Sequence, residues 1–493
     1  MSPRRLTATE LIDLTLDPGE FASWDSPVAQ PHLGSAYADD LRLAAERSGV
    51  DEAVVTGQGR LEGRPVAVIV GEFGFLGGSI GVASARRIVA ALERATREGL
   101  PILAAPVSGG TRMQEGVVAF LQMAAITQAI TAHKAAGLLY LVYLRHPTTG
   151  GVFASWGSLG HITVSEPDAL VGFLGPKVYR ALHGVDFPPG VQTGENLYAH
   201  GILDAVLPPR QLRGVAARVL DVVTAREAGA PPPAAPFVPG TRPAWESVVV
   251  SRRPGRPGVR TLLRFAAHDV TWLNGTGSGG AEPASRIALA RFGGRGVVVA
   301  ALDRHAQAHD EPLGPDALRQ TSRGMRLAAE LGLPLVTVVD TPGASLSREA
   351  EEGGLGGAIA RSLAAILSLP VPTVAVLMGQ GTGGGALALV PADRVIAAEH
   401  AWLGPLPPEG ASVIRFGDVD HAPQLADEQG IGSADLLAAG IVDEIVPESP
   451  DAAEEPEAFC RRLGNAIERQ LGVVSALEPQ QRVTQRHARY AAR

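Results

Sequence analysis

The sequence predicts an α/β protein built from two tandem copies of one domain. Three observations predict it: apolar segments with strand character alternate with helical segments, this order occurs twice, and a Pro-rich stretch separates the two occurrences. Strands that recur every ~30–50 residues with helices between them imply crossover connections and largely parallel, buried strands.

The Pro-rich stretch, residues 226–245, is predicted to be a linker. Its prolines cannot continue a helix or donate ladder hydrogen bonds. It separates an N-terminal domain at 1–225 from a C-terminal domain at 246–493. Because one hydrophobic core rarely grows beyond about 250–300 residues, a chain of 493 residues is also expected to hold two domains.

The two halves share the order strand, helix, strand with glycine turn, helix, strand with glycine turn. In the first half the predicted elements are the strand 64–73, a helix near 83–97, the strand LPILAAPVSGG, the helix GVVAFLQMAAITQAITAHKAAG and the strand LLYLVYL. In the second half they are the strand 295–303, the helix 315–331, the strand LPLVTVVDTPG, the helix GGAIARSLAAILSL and the strand VPTVAVLMG.

The spacing of the two halves also matches. Pro101 precedes Gly150 by 49 residues and Pro334 precedes Gly384 by 50, which pairs Gly150 with Gly384. Each half closes alike, with HGILDAVLP and AGIVDEIVP. A period this long indicates duplication of a domain rather than a solenoid repeat.

Composition excludes several classes of protein. The net charge of −8 does not suggest a nucleic-acid surface, and a single cysteine, Cys460, excludes an internal disulfide and a multi-cysteine metal site. The first residues lack an apolar signal core, and no membrane segment is expected. We therefore expect a soluble cytoplasmic protein with no metal and no membrane or nucleic-acid partner.

The stretches HPTTGGVFASW and GQGTGGGALAL, which follow apolar strands, carry glycine but almost no acid, base or nucleophile. One interpretation is a tight strand-to-helix turn, which glycine permits through positive φ and close backbone approach. The other is a set of backbone N–H groups that stabilise negative charge on an oxygen. The repetition at matched positions favours the second.

Other motifs are weaker. DTPG, residues 340–343, has no accompanying G-x-x-x-x-G-K-[ST], so a P-loop NTPase is disfavoured. Gly379, Gly381 and Gly384 have G-x-G-x-x-G spacing, but no acidic residue fits the dinucleotide role. Glu166, Asp393 and Glu409 are candidate acids or bases, with solvated or capping roles as the simpler interpretation.

The chain resembles, over most of 50–210 and 240–447, the β and then the α subunit of bacterial acetyl-CoA carboxylase carboxyltransferase. The β-like segments are LPILAAPVSGGTRMQEG and AGLLYLVYLRHPTTGGVFASWGSLGHITVSEPDALVGFLGP. The α-like segments include LGLPLVTVVDTPG and GGAIARSLAAILSLPVPTVAVLMGQGTGGGALALVPADRVIAAEHAW. The whole resembles the actinobacterial single-chain type, which implies two crotonase-like domains, a biotinylated partner subunit and a homo-oligomer whose halves meet across a subunit interface.

The resemblance implies that carboxyl passes from carboxybiotin, on a biotin carboxylase or carboxyl carrier subunit, to acetyl-CoA or another short acyl-CoA. The product would be malonyl-CoA, for fatty acid biosynthesis. Two oxyanions then need backbone donors. By motif, Gly150, Gly151 and Val152 would hold the thioester oxygen, and Gly384, Gly385 and Ala386 the ureido oxygen of biotin. The CoA-site residues implied by SGGTRMQEG are Ser108, Gly109, Gly110 and Arg112.

The chain departs from the family in four places, one of which is the shortened or altered region HAQAHDEPLGPDALRQTS, which leads into the helix 315–331. It has no four-cysteine zinc ribbon, so no zinc is expected; NGTGSGGAEPA at 274–284 replaces a Gly-Asp-Arg element; and SLSREAEEGG after DTPGA lacks a Tyr-Pro-Gly. The alternatives are a malonate-decarboxylase-like carboxytransfer component and a non-catalytic paralogue within a carboxylase assembly. Acyl-chain length would depend on the segment near Phe153, Trp156 and Phe173.

Overall fold

The computed structural model describes residues 5–28, 35–225, 233–234, 237, 240, 242–307 and 313–491. The chain forms two compact units. The first contains residues up to Leu220 together with Gly277–Gly279, and the second contains Asp221–Thr276 and the residues from Gly280 onward. Most of the predicted linker at 226–245 lies outside the described residues, and its last two residues already belong to a helix that begins at Ala244.

The first unit is built on a seven-stranded sheet in the order β1-β2-β3-β4-β5-β7-β9, and β6 pairs with β8. Its strands are β1 (Ala22–Ser23), β2 (Val54–Leu61), β3 (Arg64–Gly71), β4 (Ile102–Ala105), β5 (Tyr140–Leu144), β6 (Thr148–Thr149), β7 (Ile162–Ser165), β8 (Val171–Gly172) and β9 (Ala205–Val206). Its helices are α1 (Ala8–Thr15), α2 (Ser35–Ser48), α3 (Val82–Glu98), α4 (Gly116–Ala135), α5 (Gly150–Val152), α6 (Pro176–His183), α7 (Gly194–Ala199) and α8 (Pro209–Thr224), the last of which contains the unit boundary.

The second unit repeats this sheet as β10-β11-β12-β13-β14-β15-β17, with β16 paired to β14. Its strands are β10 (His268–Leu273), β11 (Ser285–Phe292), β12 (Arg295–Leu302), β13 (Leu335–Thr341), β14 (Thr373–Thr382), β15 (Arg394–Ala398), β16 (Trp402–Gly404) and β17 (Glu444–Val446). Its helices are α9 (Ala244–Ser251), α10 (Val259–Ala266), α11 (Arg304–Gln307), α12 (Pro315–Leu331), α13 (Arg348–Glu352), α14 (Leu355–Ser368), α15 (Gly383–Leu387), α16 (Pro408–Phe416), α17 (Ala422–Glu428), α18 (Ser433–Ala438), α19 (Pro456–Ser475) and α20 (Pro479–Ala491).

The strands are parallel from β3 through β9 and from β12 through β17, as the crossover pattern predicts. An antiparallel hairpin precedes each parallel set, β2 with β3 and β11 with β12. The first strand of each hairpin was not predicted, because the glycines and polar residues of VVTGQGRL and the serine and arginines of SRIALARF weaken the apolar signal.

The register shows which residues of the two units are equivalent. Ile102 pairs with Tyr140 in the first unit and Leu335 with Thr373 in the second, so along these strands each second-unit residue follows its counterpart by 233 positions. The same offset relates α3 to α12 at both ends. It pairs Gly150 with Gly383, and the pairing of Gly150 with Gly384 from sequence spacing was therefore wrong by one residue.

The stretch Met113–Ala135, which contains α4, is long and apolar enough to cross a membrane by length and composition alone. Core helices of soluble proteins pass the same test. One side of α4 packs in the core of the first unit through Met123, Ile126 and Ile130. Residues near its start are exposed, including Met113 at 89% and Val117 at 71%.

Candidate active site

The first glycine turn joins β6 to the three-residue helix α5. Gly150 has φ +62°, a left-handed conformation that favours glycine, and its N–H donates to the Phe173 carbonyl at 3.1 Å. The first intrahelical bond runs from the Phe153 N–H to the Gly150 carbonyl. Gly151 and Val152 therefore present N–H groups that have no acceptor within the helix.

The loop Ser108–Gly110 packs directly on this turn. The Ser108 carbonyl accepts the N–H of Thr149 at 3.0 Å, and the Ser108 hydroxyl accepts the N–H of Gly110 at 2.9 Å. A Cβ on Gly150 would lie 3.6 Å from the Gly110 Cα. The structure thus brings together two groups of residues that the sequence identified separately.

A second loop, Leu76–Gly78, supports the first and was missed in the sequence. All three of its residues have positive φ, including Leu76 at +45°. The Gly77 carbonyl accepts the N–H of Gly109 at 3.0 Å, and a Cβ on Gly78 would lie 2.1 Å from the Val107 carbonyl oxygen. The adjacent glycines of FLGGS were the available signal, because Gly77 and Gly78 both adopt a conformation that a Cβ disfavours.

Arg112, predicted to line the CoA site, is 1% exposed and bonds within its own unit. Its guanidinium meets Glu52 at 2.5 Å, Glu115 at 3.1 Å and the Ser79 carbonyl at 2.9 Å. Burial alone would lower the pKa of Arg112, but the hydrogen bond and charge of Glu52 outweigh it and raise that pKa. The side chain is thus a fixed cation that anchors the residues after Gly110.

The second glycine turn joins β14 to α15. Gly383 has φ +63°, and Gly384 and Gly385 occupy the helix positions that Gly151 and Val152 occupy in the first unit. Ala386 is the fourth residue of α15, the position at which the first i→i−4 bond forms. A Cβ on Gly385 would lie 2.5 Å from the Leu313 Cδ2, so this position has little room for a side chain.

The loop of DTPG repeats the geometry of Ser108–Gly110. The Thr341 hydroxyl accepts the N–H of Gly343 at 3.1 Å, and Gly343 has φ +130° where Gly110 has +124°. The two halves therefore build the same loop and turn from different sequences.

The three candidate acids have structural partners. Asp393 bonds Arg486 at 2.8 Å, Glu409 pairs with Arg252, and Glu166 lies near the buried Arg145. Burial raises the pKa of Glu166. Of the aromatic residues suspected of contacting the acyl chain, Trp156 is fully buried in the core and Phe173 is 64% exposed.

Within the described part of the chain, no three His, Cys, Asp or Glu side chains are grouped so as to hold a metal ion. Each unit instead offers peptide N–H groups at the end of a strand and the start of a helix. Such groups stabilise negative charge that develops on a substrate oxygen without a change of protonation. Each unit carries one such turn, the arrangement that the resemblance to carboxyltransferases implies.

Comparison with known proteins identifies the family. The model of the carboxyl transferase domain matches residues 2–476, and the chain belongs to this family. It is 56% identical over 487 residues, 99% of this chain and 98% of the relative, to a probable biotin-dependent acyl-coenzyme A carboxylase beta3 subunit of Mycobacterium tuberculosis. It is 39% identical over 531 residues, covering 99% of this chain and 86% of the relative, to the acetyl-coenzyme A carboxylase carboxyl transferase subunits beta/alpha of a Parafrankia species.

Solved structures share the fold. The transcarboxylase 12S structure, a hexamer described with methylmalonyl-coenzyme A bound, matches with a TM-score of 0.75 at 22% identity, covering 95% of this chain and 90% of that one. A single-chain, multi-domain long-chain acyl-CoA carboxylase matches with a TM-score of 0.73 at 17% identity, covering 95% of this chain and 46% of that one. The predicted tandem crotonase-like fold and the family resemblance are confirmed.

Proposed function

We propose that the chain is the carboxyltransferase component of a biotin-dependent acyl-CoA carboxylase, with acetyl-CoA or another short acyl-CoA as acceptor. The observation that carries this proposal is the pair of equivalent turns, at Gly150–Val152 and Gly383–Gly385, one in each unit. The names of the relatives in Mycobacterium and Parafrankia support it.

The residues fit a ureido oxygen and a thioester oxygen, because each turn offers N–H groups that no helix carbonyl accepts. Carboxybiotin, when bound, supplies CO2 and a ureido nitrogen that takes the α-proton of the acyl group. In this proposal Gly151 and Val152 donate to the thioester oxygen as negative charge develops on it. Gly384 and Gly385 donate to the ureido oxygen. Ala386, which the sequence also assigned to this oxygen, follows them in α15.

The loop Ser108–Gly110 positions the first turn and, in this proposal, borders the CoA site. Arg112 would act there through the backbone that it anchors, since its guanidinium is already bound by Glu52 and Glu115. No protein base is required, because the proton goes to the ureido nitrogen.

We also propose that the working form is a homo-oligomer associated with a biotinylated carrier. Each unit exposes large apolar side chains, among them Phe120 at 61% and Leu182 at 74% in the first and Ile414 at 76% in the second. Apolar surface of this kind is typical of surfaces that a partner covers. Light scattering of the purified chain tests this, and a monomer at micromolar concentration would contradict it.

The reverse reaction tests the activity and the acyl preference together. Purified chain receives free biotin and, in separate reactions, malonyl-CoA, methylmalonyl-CoA or a long-chain alkylmalonyl-CoA. We expect biotin-dependent release of acetyl-CoA from malonyl-CoA at the highest kcat/KM. Release that does not need biotin would favour a decarboxylase, a better long-chain substrate would correct the acceptor, and inactivity with every substrate would favour a non-catalytic paralogue.

A further inference from the structure

The ladder between β13 and β14 slips by two residues immediately before the second glycine turn. Val339 pairs with Leu377, but Thr341 pairs with Gly381. Three residues of β14, Met378–Gln380, therefore face only Asp340 across the gap. In this interruption the carboxylate of Asp340 accepts the N–H of Gln380 at 3.0 Å.

The carboxylate is built into this gap. Asp340 is 2% exposed, and a Cβ on Gly379 would lie 2.6 Å from its Oδ1, so only glycine leaves it room. The Arg304 Nε lies 3.7 Å from Oδ2 and offsets part of the buried charge, while Arg304 itself donates to the Ser251 carbonyl at 2.7 Å. Burying a carboxylate costs free energy even beside a cation, which indicates that its contact with the backbone is needed here.

The first unit has no carboxylate at the equivalent position of its ladder. Its ladder slips by the same two residues, since Ile102 pairs with Tyr140 but Ser108 bridges to Thr148. The residue equivalent to Gln380 is Pro147, which has no N–H to satisfy. The residue equivalent to Asp340 is Val107, which is buried and apolar.

We propose that Asp340 is a positioning residue for the second glycine turn. By holding the peptide of Gln380, three residues before Gly383, it fixes the direction in which the following N–H groups point. Gln380 is held on its other side as well, because its side chain accepts the Arg252 Nε at 3.0 Å. The kinetic part of this inference rests on the proposed function, whereas the conformational part does not.

Three variants test the inference. Asp340→Val installs the residue of the first unit and leaves the Gln380 N–H without its acceptor, whereas Asp340→Asn keeps a carbonyl oxygen in place. Asp393→Val is the matched control, because Asp393 is a buried carboxylate at the other end of the same sheet, where it accepts the Thr373 N–H at 2.8 Å. Hydrogen exchange followed by mass spectrometry reports residues 378–388, and the biotin-dependent release assay reports kcat and KM.

We expect Asp340→Val to speed exchange in 378–388 by about tenfold and to lower kcat by a similar factor, since a buried N–H loses its acceptor. The KM for the acyl-CoA should change by less than about twofold, because the proposed acyl-CoA site belongs to the first unit. Asp340→Asn should restore both readouts to within about threefold of the parent. Asp393→Val should lower Tm and leave exchange in 378–388 unchanged.

Two results would overturn the inference: unchanged exchange in 378–388 in Asp340→Val, or an acceleration spread over the whole second unit as in a general loss of stability. Failure of Asp340→Asn to restore local exchange would also count against it. If the parent chain proves inactive, the proposed function fails, but the exchange experiment still decides whether Asp340 positions the turn.

Discussion

The two glycine turns reach one backbone conformation with different supports. Gly150 and Gly383 have φ of +62° and +63°, and each follows a threonine N-cap. Behind the first turn lie Val107 and Pro147, whereas behind the second lies the buried carboxylate of Asp340 bonded to a peptide N–H. The comparison teaches that one backbone conformation is reached in two ways: Pro147 removes the buried N–H in the first unit, and Asp340 supplies an acceptor for it in the second.

The two units also use different side chains to accept the N–H at the start of an equivalent strand. The N–H of Tyr140, at the start of β5, donates to the His161 Nδ1 at 3.1 Å. The equivalent N–H of Thr373, at the start of β14, donates to the carboxylate of Asp393, which Arg486 neutralises. The first N–H of the strand is thus accepted by a neutral imidazole in the first unit and by an ion-paired carboxylate in the second.

The largest expected effect is a loss of stability on substitution of Arg112, in the loop after β4; the equivalent loop of the second unit follows β13. Arg112 and Ser345 are equivalent, and their N–H groups both donate at 2.9 Å, to Ile80 and Leu313. Only Arg112 forms a buried ion pair, with Glu52. We expect Arg112→Met to lower the free energy of unfolding by about 3–5 kcal/mol, because Glu52 is left buried without its partner. Denaturant unfolding measures this.

Ser345→Ala is the control and should change the free energy of unfolding by less than ~1 kcal/mol. An equal loss in both variants would show that the Arg112 ion pair adds nothing specific to the first unit.

The next effect concerns the turns themselves. A valine at Gly151 or at Gly384 places a branched side chain beside the N–H groups proposed to bind oxygen. We expect each variant to lower kcat by about 100-fold or more, the usual cost of losing an oxyanion donor. The KM for acyl-CoA should rise in Gly151→Val and the KM for biotin in Gly384→Val, which steady-state kinetics distinguishes.

Gly356→Val controls for the added bulk, since a Cβ at this exposed helix position meets nothing within 4 Å. Full activity in Gly151→Val with an intact fold would remove the first turn from the site.

The smallest effect is the pH dependence that His161 adds to the stability of the first unit. Burial, assisted by the charge of Lys134, lowers the pKa of His161 to about 3. In the unfolded chain His161 binds a proton near pH 6.5, whereas in the folded chain it stays neutral. The free energy of unfolding is therefore unaffected by His161 above pH 6.5 and falls as pH drops from 6.5 toward 3. We expect His161 to account for a loss of about 2 kcal/mol between pH 7 and pH 5.

His161→Asn keeps an acceptor for the Tyr140 N–H and does not titrate, so its stability should depend less on pH. Denaturant unfolding of both proteins at pH 7 and pH 5 measures the difference. Equal slopes in the parent and the variant would contradict this assignment.

Much of the fold could be predicted from the residues alone. The helix predicted at 315–331 has these bounds in the structure, and the helix predicted near 83–97 spans Val82–Glu98. These elements have Gly at both ends, at the N-cap and at a left-handed C-cap, together with a strong apolar period. The hairpin strands β2 and β11 were missed, since their pairing rather than their composition makes them strands.

The site was less accessible to prediction. Sequence spacing located both turns but paired Gly150 with Gly384, because a run of three glycines at 383–385 gives no internal register. The bonds of Arg112 to Glu52 and of Asp340 to Gln380 join residues 60 and 40 positions apart. No local pattern marks such pairs.

The sequence by itself determined the duplication, the order of the central strands and helices of each half, and the family, because periodicity, glycine caps and long motifs are written along the chain. Only the tertiary structure decided which N–H groups are available. Gly150 donates to Phe173, whereas Gly151 and Val152 follow it in a helix too short to supply them acceptors. The physical reason is that a hydrogen bond depends on what lies opposite a group in space, and strand register sets that.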